Sequence, residues 1–146
     1  MKCRTDDTLK YIQFLARRFD KQDIKAVTLI ILYDLGFPAG NDGFVYLRRA
    51  IEIQSARNVP IITQGLYYAI SLSHDTGDSW QYIDQAIRRA IKFAWNNRDP
   101  EIWELFFPST TSSSPKCPSN KEFIARISCI IELWQSCKEA NYERAI

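Results

Sequence analysis

The sequence is poor in the residues that most chemistry needs. It holds one histidine, His74, in a short polar link, where capping or surface exposure is the ordinary use of an imidazole. It has no CxxC, no HExxH and no glycine-rich phosphate loop, so no spacing supports a zinc or nucleotide site. No segment approaches the roughly 20 apolar residues of a membrane span. The first ten residues, MKCRTDDTLK, lack the apolar centre of a secretory signal. A cytoplasmic protein without a membrane partner is therefore expected. The four cysteines are Cys3, Cys117, Cys129 and Cys137. With no signal peptide, reduced thiols are expected, with Cys129 and Cys137 on one buried face. No spacing favours a Cys/His nucleophile pair. No cofactor, metal, small-molecule substrate or enzymatic activity is expected. Strand patterns and internal repeats are missing as well.

What is present is apolar residues at helical spacing. The chain has 146 residues, of which 46% are apolar, 13% aromatic and 25% charged. That describes one globular domain able to bury a real core. The formal net charge of +2 neither demands nor excludes nucleic acid. A DNA binder with so small an excess must gather its cations on one face.

The periodicity predicts about seven helices in an all-α domain. Residues 8–19 place Leu9, Ile12, Ala16 and Phe19 inward, capped by Asp7 or Thr8. Residues 21–35 do the same with Ile24, Val27, Ile31 and Leu35. Gly36 then suits the C′ position, and Pro38 blocks continuation. Residues 44–57 bury Phe44, Leu47, Ala50 and Ile51 and show Arg48, Arg49, Glu52 and Gln54. After Pro60, residues 61–73 carry Ile62, Leu66, Ala69, Ile70 and Leu72. Asp99-Pro100 starts a short helix to about Phe107. Residues 108–119 read as a Ser/Thr/Pro loop. Ser119 and Glu122 form a capping box for a last helix to about Lys138, buried through Phe123, Ile127, Ile130, Ile131 and Trp134.

The remaining helix, residues 78–97, has the sharpest division of faces. Trp80, Ile83, Ala86, Ile87, Ala90, Ile91, Ala94 and Trp95 fall on one side. Gln81, Tyr82, Asp84, Gln85, Arg88, Arg89 and Lys92 fall on the other. Gln81, Gln85, Arg88 and Lys92 make one stripe at i, i+4, i+7, i+11. Asp78 is the expected N-cap, with Gln81 closing a capping box. A solvated helix face has this pattern too. The residue types permit more: Arg and Lys hold phosphates and guanine edges, and Gln pairs with adenine. Joined to residues 61–73 by a short glycine-containing link, this helix fits a helix-turn-helix or an ordinary αα-hairpin.

Several segments together resemble a known family. They are Leu35-Gly36-Phe37-Pro38-Ala39, Gly43-Phe44-Val45-Tyr46-Leu47-Arg48 with Ala50-Ile51, and Ile62-Thr63 with Leu66-Tyr67. Ala86-Ile87-Arg88 with Ala90-Ile91 and Ala94-Trp95 follows, then Pro118-Ser119-Asn120 with Glu122-Phe123-Ile124-Ala125. In order and near-spacing they are similar to the C-terminal DNA-binding domain of the stage-zero sporulation protein A family of response regulators. The resemblance implies a helix-turn-helix over roughly residues 62–97, with residues 78–97 as recognition helix in the major groove. It matches Arg88 to a family arginine at the contact face. It sets Asp84 where the family has Glu and Arg89 where it commonly has His. Tyr82 and Gln85 replace two family arginines. Lys116 stands near, though shifted from, a family lysine beside DNA.

The expected function is thus a sequence-specific transcription regulator that binds double-stranded DNA. Gln81, Tyr82, Asp84 and Gln85 are expected at base edges, with Asp84 accepting from cytosine N4. Arg88, Arg89 and Lys92 are expected on guanine or phosphate, with Lys116 nearby. Residues 1–24 are expected to form an N-terminal helical extension and residues 25–146 the DNA-binding domain, leaving no room for a receiver. The alternative is a degenerate homologue acting as a protein-interaction module. It would dimerise through its first helix or pair with a full-length family regulator. The low net charge and the two lost arginines favour that alternative.

Overall fold

A computed structural model describes residues 4–20, 22–57, 63–74, 78–108 and 115–145. These form seven α-helices and no strand: α1 Arg4–Arg18, α2 Ile24–Asp34, α3 Asp42–Arg57, α4 Thr63–His74, α5 Trp80–Asn96, α6 Pro100–Phe106 and α7 Asn120–Ala145. None of the described helices is long and apolar enough to cross a membrane. Pro60, Ile62 and the link 75–77 lie outside the described residues, as do the side chains of Leu72 and His74, residues 109–114 of the Ser/Thr/Pro loop, and Cys3.

α3 is the central helix. It packs against α2, α4, α5 and α7, while α1 lies on α6 and α7. The buried apolar residues of all seven helices form one continuous core. Leu47, Ala50 and Ile51 of α3, Ile83 and Ile87 of α5, and Phe123, Ile127 and Trp134 of α7 are fully enclosed. Each large apolar side chain so enclosed is worth about 1.5–3 kcal/mol.

Local chemistry sets the helix ends. Gly36 adopts φ +88°, which places it in the left-handed region that glycine enters without penalty. Its N–H donates to Tyr33 O and that of Phe37 to Leu32 O, both at 3.0 Å. This is the Schellman arrangement, and it turns Phe37 into the core beside Phe123. At α6, Asp99 Oδ1 accepts from Glu101 N at 3.0 Å, with Pro100 at the first helical position. At α7, Ser119 Oγ accepts from Glu122 N at 3.2 Å. The helix then runs past Lys138 to Ala145.

Three sequence expectations are corrected. α1 begins at Arg4, so neither Asp7 nor Thr8 caps it. Its inward stripe is also rotated: Leu15 is buried and Leu9 is exposed. Thr8 takes the inner position because its hydroxyl donates to Leu105 O at 2.7 Å, which satisfies the group it buries. The second correction concerns Cys129, which is exposed, while Cys137 is half-buried; neither is in a disulfide. At 100° per residue Cys129 falls about 200° from Ile127, on the side of α7 opposite its buried face, whereas Cys137 falls at the margin of that face. The third concerns α5, whose N-cap is Ser79 in place of Asp78: Ser79 Oγ accepts from Tyr82 N at 3.2 Å. Asp78 works across elements instead. Its carboxylate accepts from the Tyr46 hydroxyl and its carbonyl from Ser71 Oγ at 2.6 Å.

Candidate nucleic-acid interface

α5 is held from three sides. α4, the preceding helix, packs on it, as do α3 and the start of α7. The α3 contact is the closest. A Cβ on Gly43 would stand 2.3 Å from the Ala86 carbonyl oxygen and 2.9 Å from Ala90 Cβ, so only glycine lets the two backbones lie this near. Ile83, Ile87, Ala90, Ile91 and Ala94 face the core, with Trp80, Ala86 and Trp95 partly buried at its margin.

The opposite face is open. Gln81, Tyr82, Gln85, Arg88, Arg89 and Lys92 are all exposed. Their types change along the axis. The first turn lies among acids: Tyr82 Oη donates to Asp42 Oδ2 at 2.8 Å, and that bond raises the phenol above its ordinary pKa, with Asp78 adding to the effect and Arg89 opposing it. The later turns are cationic, with Arg88, Arg89 and Lys92.

Asp84 differs from the other six. It is half-buried, and the amide of Asn120 lies 2.9 Å from its carbonyl oxygen and 3.1 Å from its Oδ1. Its Oδ2 accepts from Arg88 at 3.1 Å. The same Asn120 amide is 3.2 Å from Tyr67 Oη. Tyr67 is enclosed, and burial, then the nearby Asp84, outweighs the Asn120 bond and pushes its phenol up to about 12. One polar node thus joins α4, α5 and the first residue of α7. Each Asp84 carboxylate oxygen accepts one bond in this node, and the bond to Oδ2 orients Arg88, whose own side chain is 70% exposed against 25% for Asp84.

A groove of about 610 Å³ runs between α5 and the entry to α7. Arg88 and Lys92 line one wall; Ser119, Asn120 and Lys121 line the other, with Trp95 and Cys117 between. Partial burial raises the Cys117 thiol, against the opposing pull of Lys92 and Arg98. The three cations Arg88, Lys92 and Lys121 can meet a phosphate chain there. Lys116 is exposed just outside the lining. Sequence reasoning missed Lys121 and Asn120. The Ser119 cap signal marked where α7 starts, but spacing within α7 carries no information about which helix that start abuts.

The C-terminal end of α5 is stabilised by Arg98. Its guanidinium lies 3.6 Å from the Trp95 ring centre and donates to Trp95 O at 2.9 Å. A cation at a helix C-terminus also opposes the negative end of the dipole. Trp95 in turn meets Trp103 edge-on, with ring centres 5.5 Å apart. Packed aromatic rings therefore underlie the end of the exposed face.

A pair of packed helices, with the second showing a polar and basic face, agrees with what the chain is similar to. Residues 28–131 match the family described as Sporulation initiation factor Spo0A C terminal, whose members are DNA-binding regulatory domains. The match covers most of the chain, and the protein belongs to that family.

Proposed function

We propose that this protein is a sequence-specific transcription regulator whose α5 enters the major groove of double-stranded DNA. The carrying observation is the exposed face of α5, the second helix of its pair, in a member of a DNA-binding family. N-terminal residues of such a helix reach base edges, and flanking cations hold the backbone. In this reading Gln81, Tyr82 and Gln85 meet bases. Arg88, Arg89 and Lys92 bind guanine or phosphate, while Lys121 and the exposed Lys116 add phosphate contacts. Asp84 serves as a positioning residue through Arg88 and Asn120, and its remaining lone pairs can accept from cytosine N4.

The test is selection of bound duplexes from a random pool, followed by titration of the selected site with wild type and Arg88→Ala. The variant is expected to lose about 1–3 kcal/mol of specific binding. Binding is also expected to weaken steeply with salt, because each neutralised phosphate releases counterions. Equal affinities remove Arg88 from the interface. No retention on any duplex at low salt, with a defined oligomer by light scattering, replaces the regulator with a protein-interaction module.

A further inference from the structure

The hydrogen bond between Tyr82 and Asp42 has a consequence for which base α5 accepts. We infer that Asp42, at the start of α3, sets the base preference opposite Tyr82 by claiming the phenolic hydrogen and leaving only an acceptor toward the groove. This inference rests on the major-groove reading of α5.

Tyr82 is the third residue of α5, in the turn that a recognition helix directs at base edges. Tyr82 is 44% exposed, so a ligand can reach it. A free phenol is both donor and acceptor and discriminates poorly. This one is not free: its hydrogen points to Asp42 Oδ2 at 2.8 Å. An ionised carboxylate can only accept, so the direction of the bond is fixed. The phenolic oxygen keeps its lone pairs and has no hydrogen left to offer.

Base edges in the major groove differ in what they need. Adenine N6 and cytosine N4 donate, whereas guanine O6 and N7 and thymine O4 only accept. An acceptor-only Tyr82 therefore favours adenine or cytosine on the contacted strand and repels guanine or thymine. The Asp42 charge adds to the same bias, since it too disfavours acceptor edges and phosphates close by. Asp42 thus acts on the site through Tyr82, from a different helix, as a specificity-determining residue.

The test is random-pool duplex selection with wild type, Asp42→Ala and Tyr82→Phe, each checked for helicity by circular dichroism. Asp42 is exposed at a helix start, and both changes are small, so folded variants are expected. Wild type is expected to prefer adenine or cytosine by roughly two- to tenfold at one position, the span of a single hydrogen bond. Both variants are expected to flatten that position and leave the others unchanged. If wild type selects a site and Asp42→Ala keeps the same preference throughout, the inference is overturned while the regulator reading stands. If wild type enriches no duplex at all, both fall together.

Discussion

Asn120 shows how one side chain can organise a site from a distance. Its amide lies within hydrogen-bond reach of Tyr67 Oη, Asp84 O and Asp84 Oδ1, and it is 8% exposed. Removing it strands buried acceptors, which costs more than the bonds themselves contribute. Asn120→Ala is expected to lower stability by about 1–3 kcal/mol, read as a drop in the urea midpoint. Tyr67 in the same node makes a prediction in pH. Its folded-state value, about 12, lies above the ordinary phenol value of 10. The contribution is therefore complete below about pH 10 and is lost as pH rises through about 12. Urea midpoints are expected to fall over that window, and less steeply in Tyr67→Phe. An unchanged slope in the variant would show that Tyr67 ionises normally. Neither role was legible from spacing. Spacing shows Asn120 only as a residue next to a cap and Tyr67 as one of two adjacent tyrosines, although both fall in segments that carry the family resemblance.

Among the elements, α5 was the most legible. Its five buried residues, and the exposure of Gln81, Tyr82, Gln85, Arg88, Arg89 and Lys92, follow from 100° steps and little else. Its start was read one residue early because Asp78 and Ser79 are both good caps. Tyr46 and Ser71 bind Asp78, and so leave the cap to Ser79. Such competition is settled by residues of α3 and α4, which local spacing cannot include. α1 was misread for a related reason. Periodicity ranks residues by hydrophobicity, so it sets Leu9 inward and leaves Thr8 as a cap, whereas Leu105 gives the buried Thr8 hydroxyl its acceptor. The approach of α3 to α5 yields a prediction for whole elements. Gly43→Ala is expected to push α5 outward and to cost about 1–3 kcal/mol, the usual scale of overpacking. A thermal melt checks the cost. The DNA titration checks the displacement, because a shifted α5 weakens binding even where the fold survives. Full stability and affinity in Gly43→Ala would mean the backbones can separate freely.

Taken as a whole, the molecule bears the marks of one core shared by all its helices. Thr8 and Tyr11 of α1 reach α6 and α2: Tyr11 meets Phe106 edge-on at 5.2 Å and donates to Asp34 at 2.5 Å. That burial, then Asp34, raises the Tyr11 phenol strongly. We propose that α1 acts as a structural part of the fold, even though the family match starts at residue 28. Leu15 is completely buried, so Leu15→Ala is expected to cost about 2–5 kcal/mol. A two-state denaturation curve measures it. A loss below about 0.5 kcal/mol, as at a surface site, would make α1 an appendage.

By itself the sequence determined the all-helical class, most helix spans, the inner stripes of α2, α3, α5 and α7, and the family. These depend on residues a few positions apart, where the helical repeat is the only geometry involved. The tertiary structure alone decided that Asp84 is tied to Asn120, that Lys121 faces Arg88 and Lys92 across a groove, and that Asp42 holds Tyr82. Each of these joins residues on different helices. Their meeting depends on how the shared core orients one helix against another, and a periodic pattern along one helix carries no trace of that angle.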